Sequence, residues 1–382
     1  QGGRSLVATA DLPSAALATD VVELGGLADM NATDLQKALT GKRVSLSPSI
    51  GTYSESLSGS STVKDLETLL QLNYLYFTAP RRDEEAYQTL ISILDSQLAN
   101  RDKNPKVAWS DSVQMMASNY SDRTLIVNKE LLTKASLDKA LEVYKARFAN
   151  PADFTFFFVG NVDPADKAFQ AQVCTWLGGL KANKKLEKAA DDKVRVAMGI
   201  QKNYFTRQME TKTASNRIQY TSYDMPYTLA NDLNMEMIGR ILSTRYLESI
   251  REREGGSYGV GCAGWMNRHP VPYAQLIMQF DTDPEKQEKL MNIIHEEVKT
   301  IVENGPLAKD LQKEKESMLK DFEENLEKNG YWTDVLSVYY KNGINYITDY
   351  KAAVEAITAE TVQATLKELV EAGNVFEVVM LP

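Results

Sequence analysis

A repeated order of elements constrains this chain more than any single motif does. Ser136-Leu137-Asp138 opens a helical pattern that runs to about Asn150 and is followed by the apolar stretch Phe154–Gly160. Thr358-Ala359-Glu360 opens another, to about Ala372, followed by Val375–Leu381. The two starts lie 222 positions apart, and that offset pairs Tyr144 with Leu366, Lys145 with Lys367, Phe148 with Val370 and Phe154 with Phe376. Ser and Thr suit helix N-caps, because the side-chain oxygen accepts an otherwise orphan backbone N–H. Apolar runs of this length suit strands. Upstream, the stripe Leu66, Leu69, Leu70, Tyr74, Phe77 stops before Pro80. Its counterpart Leu290, Ile293, Ile294, Val298, Ile301 stops before Gly305-Pro306, at an offset of 224. Three elements in one order at nearly one spacing indicate a duplicated unit.

The expected fold class is α+β: two homologous domains, each a mainly antiparallel sheet flanked by helices. Helices set around strands with hairpin-length turns favour that layering over a parallel sheet. A length of 382 residues also favours more than one domain. Lys181, Lys184, Lys185, Lys188 and Lys193, with Asn183 and Asp191-Asp192, read as a solvated linker. The domains are therefore expected at 1–180 and 196–382, joined by 181–195. Within the first, Pro13–Gly26 and Arg82–Leu98 read as helices and Val44–Ser60 as strand and turn. Within the second, Thr228–Ser243 reads as a helix, Tyr273–Asp281 as a strand and Ala308–Gly330 as one long charged helix. The second copy opens with strands near Val194–Tyr204 and Arg217–Tyr223, whose counterparts at the same offset fall at or before residue 1. The first domain is thus expected to lack its opening strands.

Several function classes drop out. The net charge is −9 and the pI about 5.1, the wrong footprint for a nucleic-acid partner. No apolar run approaches the ~20 residues of a membrane span. Gln1-Gly2-Gly3-Arg4 shows neither an initiator Met nor a signal-peptide pattern, so the chain reads as an internal piece without its targeting information. Cys174 and Cys262 make no disulfide framework and read as small apolar residues. A hydrolytic zinc site needs imidazoles and a carboxylate at fixed helical spacing. The only histidines, His269 and His295, belong to no H-x-x-E-H or H-E-x-x-H. His295 reads as a surface histidine flanking a helical stripe, and His269 as a turn residue beside Pro270. There is no G-x-S-x-G elbow, phosphate loop or dinucleotide fingerprint. The carboxylates of Asp310–Glu327 are dense enough to read as a solvated face.

What remains is Leu247-Glu248-Ser249-Ile250-Arg251-Glu252-Arg253-Glu254-Gly255-Gly256-Ser257-Tyr258-Gly259-Val260. It reads as a helix end, a Gly-Gly break and a strand start. Helix-then-strand is the wrong order for a phosphate cradle at a helix N-terminus, and it fits a left-handed glycine C-cap. Arg251 and Tyr258 place a cation and a phenol at the two ends of one connection, a way to hold a peptide carbonyl. Spacing alone reads equally well as a helix-end cation favouring the dipole and an ordinary strand aromatic.

This stretch, with Tyr223-Asp224-Met225-Pro226 before its helix, resembles the last of four homologous domains in the insulin-degrading enzyme and pitrilysin (insulinase) family of zinc metallopeptidases. The first copy resembles the third domain, through Gly2-Gly3-Arg4-Ser5-Leu6, Leu35–Lys42, Gly59-Ser60-Ser61 and Phe158–Pro164. The resemblance covers nearly the whole chain. It implies the C-terminal, non-catalytic half of a zinc metalloendopeptidase, which encloses and orients a peptide substrate. Arg251 and Tyr258 would be the substrate-binding residues, with Arg253 as the alternative cation. No metal ligand and no catalytic residue is expected here. The helices that would carry H-x-x-E-H, near Ser14–Glu23 and Thr228–Ser243, hold no histidine. The family's zinc is expected on an N-terminal half of the same polypeptide or on a partner subunit, and the location is expected to be periplasmic or otherwise extracytoplasmic. The rival expectation is a non-catalytic peptide-binding or assembly subunit of the same fold.

This chain alone should hold no stoichiometric zinc and cleave no peptide. Metal analysis after dialysis tests this, and roughly one tightly held zinc per chain would contradict it, since a real site takes three or four protein ligands.

Overall fold

The two capping residues read from the repeat do cap helices. Ser136 Oγ accepts the Lys139 N–H at 3.3 Å. Thr358 Oγ1 accepts from Thr361 N at 3.3 Å while the Thr361 hydroxyl accepts the Thr358 N–H at 3.0 Å, a reciprocal capping box. These contacts come from a computed structural model that describes residues 1–183, 185–252 and 259–382, the side chains of Asp102, Arg251 and Glu252 excepted. In chain order the helices are α1 Leu12–Ala16, α2 Ala18–Gly25, α3 Ala32–Ala38, α4 Leu66–Thr78, α5 Glu84–Leu98, α6 Pro105–Ala117, α7 Lys129–Lys134, α8 Leu137–Arg147 and α9 Lys167–Trp176. They continue as α10 Leu229–Tyr246, α11 Gln287–Asn304, α12 Ala308–Asn325, α13 Asn329–Asn342, α14 Tyr350–Glu355 and α15 Ala359–Glu371. The strands are β1 Val44–Ile50, β2 Glu55–Ser61, β3 Ile200–Thr206, β4 Ala214–Ser222, β5 Gly261–Asn267, β6 Tyr273–Thr282 and β7 Asn374–Leu381. The mixed, antiparallel-dominated α+β class is as expected. No helix among the described residues is long and apolar enough to cross a membrane.

Contacts divide the chain into two units, Gln1–Lys103 with Asp122–Lys193, and Asn104–Ser121 with Val194–Pro382. In the first, β1 and β2 form an antiparallel hairpin in which Val44 faces Ser61 and Ile50 faces Glu55. Its core joins Val21 and Val22 of α2, Leu72 and Tyr76 of α4, and Ala140 and Tyr144 of α8. The expected strand Phe154–Gly160 is not one: the segment pairs with no strand among the described residues. Phe154 instead packs on Phe77 and Phe148, with ring centroids 4.9 and 5.5 Å away. The offset counterpart, β7, is held between β3 and β4, and this unit has no described strands in those places. The lysine-rich stretch is tied along the same unit. Arg147 Nη1 pairs with Glu187 at 2.8 Å, Ala190 N donates to Ser5 Oγ at 3.0 Å, and Tyr53 Oη donates to Asp192 at 2.8 Å.

The second unit holds a five-stranded sheet in the order β3-β7-β4-β6-β5, with only β3 and β7 parallel. α10, α11 and α15 cover one face with Leu233, Ile238, Ile241, Leu290, Ile294, Val362 and Leu366. The other face receives α6, whose Met116 packs with Phe376, Val378 and Val196. The expected helix Ala308–Gly330 is divided: Lys328 N closes a turn on Asn325 O at 2.9 Å, and Trp332 Nε1 takes the Leu326 carbonyl at 2.8 Å.

α10 approaches β5 backbone to backbone. A Cβ on Gly239 would lie 2.6 Å from Gly264 N, and one on Gly264 would lie 2.2 Å from Met235 O. No flexible side chain can give way at either point. Gly264→Ala should therefore cost about 1–3 kcal/mol, as overpacking does. Gly330→Ala, whose new methyl meets nothing within 4 Å, should be neutral or slightly stabilising. Urea unfolding of the two variants checks the difference, and equal midpoints would contradict it.

Candidate peptide-contact site

α10 begins at Thr228, whose hydroxyl oxygen accepts the Asn231 N–H at 3.1 Å. It passes directly into a π-helical turn, Leu247–Glu252, a form that often marks functional positions. The turn is anchored by Ile250, 1% exposed, and by Ser249 Oγ, which donates to Glu297. Glu297 also takes Arg245 Nε at 3.2 Å, and Arg245 Nη1 reaches Glu248 at 3.0 Å. On the far side of the connection Val260 is buried in the same core as Ile250. Arg251 falls in the π-helical turn, and its side chain lies outside the described residues. So do Arg253, the Gly255-Gly256 pair and Tyr258.

The two helices that would carry zinc ligands in a catalytic copy do not fit a metal. Near Ser14–Glu23 the chain forms α1 and α2, and Ser14 Oγ accepts the Ser136 N–H at 3.0 Å. On α10, Asp232 accepts the Met266 N–H at 2.7 Å and the Tyr346 hydroxyl, and burial pushes its carboxyl up. Glu236 pairs with Arg240 Nε at 2.9 Å, and burial pushes it up as well. Both carboxylates are engaged within the helical layer. Among the described residues no group of three or more His, Cys, Asp or Glu could hold a metal ion.

His295 is not the free surface histidine that its sequence position suggests. Its Nδ1 lies 3.0 Å from Tyr220 Oη and its Nε2 2.9 Å from Glu377 Oε1. The carboxylate can only accept, so Nε2 carries the proton and Nδ1 accepts from the phenol. Glu377 also takes the Tyr204 hydroxyl, and Lys202 Nζ at 3.1 Å. Burial pushes the Glu377 carboxyl up, but its hydrogen bonds from His295, Tyr204 and Lys202 outweigh this and hold it at about 2. The network joins α11 to β7, β4 and the edge strand β3. Its one legible signal was a lone carboxylate within the apolar run Asn374-Val375-Phe376-Glu377-Val378-Val379.

Residues 134–318 match the family model described as the Peptidase M16 inactive domain. It is 23% identical over 376 residues to the zinc protease PQQL-like protein of Arabidopsis thaliana, covering 90% of this chain and 38% of that protein. It is 22% identical over 380 residues to the probable zinc protease PqqL of Escherichia coli (strain K12), covering 96% and 39%. The crystal structure of the periplasmic protease PqqL from Escherichia coli superposes with a TM-score of 0.85 at 18% identity, over 100% of this chain and 42% of that one. The chain thus spans about two fifths of the length of these relatives.

The Glu377 network gives a pH signature. A carboxyl held below its ordinary value near 4.5 stabilises the fold above that pH and loses its contribution as pH falls toward about 2. Glu377→Gln should cost about 1–3 kcal/mol at neutral pH. The gap to wild type should close as the pH is lowered through that window. Urea unfolding across the range checks it, and a gap that stays constant would show that the carboxylate's charge is not what the network uses.

Proposed function

We propose that this chain is the non-catalytic half of a two-halved zinc metalloendopeptidase, and that it closes over a peptide and orients it for a catalytic half carrying the zinc. In this reading residues 1–180 and 196–382 are third-type and fourth-type domains joined by 181–195. The partner is an N-terminal half of the same polypeptide or a separate subunit. The location is extracytoplasmic, by likeness to a relative described as periplasmic. The observation that carries the reading is the connection after α10, which bears Arg251 and Tyr258 seven residues apart between the buried anchors Ile250 and Val260. Positioning of a bound peptide lowers a barrier without contributing a reacting group. The Tyr258 hydroxyl donates a hydrogen bond toward the peptide oxygen on which charge develops, and Arg251 binds a neighbouring carbonyl.

The test joins this chain to its catalytic half in a preparation shown to contain zinc. Tyr258→Phe should lower peptide turnover by about ten- to a thousandfold, the range for losing one oxyanion donor. Zinc content and unfolding midpoint should stay as they were. Arg251→Ala should weaken turnover with a larger effect on KM, as expected for a group that holds the ground-state backbone. Wild-type kinetics from both variants would remove the site and leave the family assignment intact.

A further inference from the structure

The face of the second unit's sheet that receives α6 carries an arginine without an acid. Arg217 of β4 donates from Nη2 to Gln219 Oε1 at 2.8 Å and from Nη1 to Gln279 Oε1 at 3.2 Å. Its Nε is buried and has no partner, and no carboxylate pairs with it among the described residues. Burial pulls this guanidinium below its ordinary value, the mark of a cation short of compensation. Such a group is unusual in a chain of net charge −9.

Arg217 also dictates how Gln279 is turned. A guanidinium can only donate, so the Gln279 amide oxygen faces it and the amide NH₂ faces away. That NH₂ has no partner among the described residues. Gln279 lines a cavity of about 500 Å³ with Lys106, Trp109, Ser110, Gly259, Phe280 and Asp281. Lys106 Nζ lies 2.7 Å from both Asp281 carboxylate oxygens, which neutralises that acid, and 2.8 Å from Ser215 Oγ. Ser110 is exposed on α6 and the Trp109 ring supplies an apolar wall. With Lys106 and Asp281 cancelling, the lining offers neutral donors from Gln279 and Ser110, and the positive charge of Arg217 stands behind Gln279, 3.2 Å from its amide oxygen. Gly259 sets the cavity beside the connection that carries Tyr258.

We propose that this cavity is a subsite for a carboxylate of a bound peptide, taken by the Gln279 NH₂ and the Ser110 hydroxyl under the charge of Arg217. The assignment rests on the reading of this chain as a peptide-enclosing half. The carboxylate can come from an acidic side chain or from the peptide's C-terminus. Charge-assisted hydrogen bonds of this kind are about twice as strong as neutral ones, and they weaken with salt at an exposed site.

The experiment is fluorescence anisotropy of the 382-residue chain with short fluorescein-labelled peptides. One series carries Glu side chains and an amidated C-terminus, a second carries Gln with a free C-terminus, and a third carries Gln with an amidated C-terminus. At least one carboxylate-bearing series should bind about tenfold or more tighter than the neutral one, by the worth of a hydrogen bond to a charged group. Which of the two it is identifies the source of the carboxylate. Gln279→Glu gives Arg217 the acid it lacks and replaces the donor by a like charge, so the preference should vanish while the fold is retained. Ser110→Glu, at an exposed helical position, should act in the same way. If the neutral peptides bind as tightly as the acidic ones, or if both variants keep the preference, the subsite is wrong and the peptide-holding reading stands. If no peptide binds at any salt concentration, both fall.

Discussion

The second unit depends on how closely α10 can approach β5. Gly239 and Gly264 meet backbone to backbone, and any Cβ there would overlap main-chain atoms. That contact sets the height of the helix above the sheet. It lets Leu233, Ile238, Ile241 and Leu242 reach full burial from one helix. It also sets the point at which the chain leaves α10 for the π-helical turn and then for β5. The seating of α10 on the sheet is therefore decided by two residues that have no side chains.

The sheet itself separates two kinds of polar chemistry. β4 is buried along nearly its whole length, yet it carries Ser215, Asn216, Gln219, Thr221 and Ser222. On the helical side Asn216 accepts from Gln287 Nε2 at 3.1 Å, and the Glu377 network lies on the same side, satisfied within the fold. On the α6 side Arg217 is met only by amide oxygens. Buried polar groups are normally matched group for group, because an unpaired one costs more than a pair contributes. One face follows that rule with a carboxylate surrounded by donors, while the other leaves a cation with no acid. The difference is one of pairing and not of burial, since both faces draw on the same strand.

Local signals made much of this fold legible. Ser136 and Thr358 cap as read, and Tyr273–Asp281 is β6 almost residue for residue, since alternation and capping are local properties. Long-range partners were not legible. Phe154–Gly160 has a strand's composition but no neighbour to pair with, and pairing is what defines a strand. α6 shows apolar residues at helical spacing, but spacing cannot say that they meet Phe376 and Val378, more than two hundred positions away. His295 looked like a stripe-edge residue because its partners Tyr220 and Glu377 lie 75 and 82 positions from it. Arg217 was invisible as a candidate because its significance lies in the acid it does not have, which no pattern of neighbours in sequence records. Of the site named from resemblance, the sequence supplied Arg251 and Tyr258, and the structure supplies the anchors on either side of them.

The path of α6 bears on how such a protein can be divided. The chain leaves the first unit after Lys103, contributes α6 to the second, returns at Asp122 and departs again after Lys193. Two units read from sequence as separate cassettes would each be contiguous. These two are not. A break in the lysine-rich stretch would deliver the second unit without the helix that packs on Phe376 and Val378. The separable module, if there is one, includes α6 with the second unit.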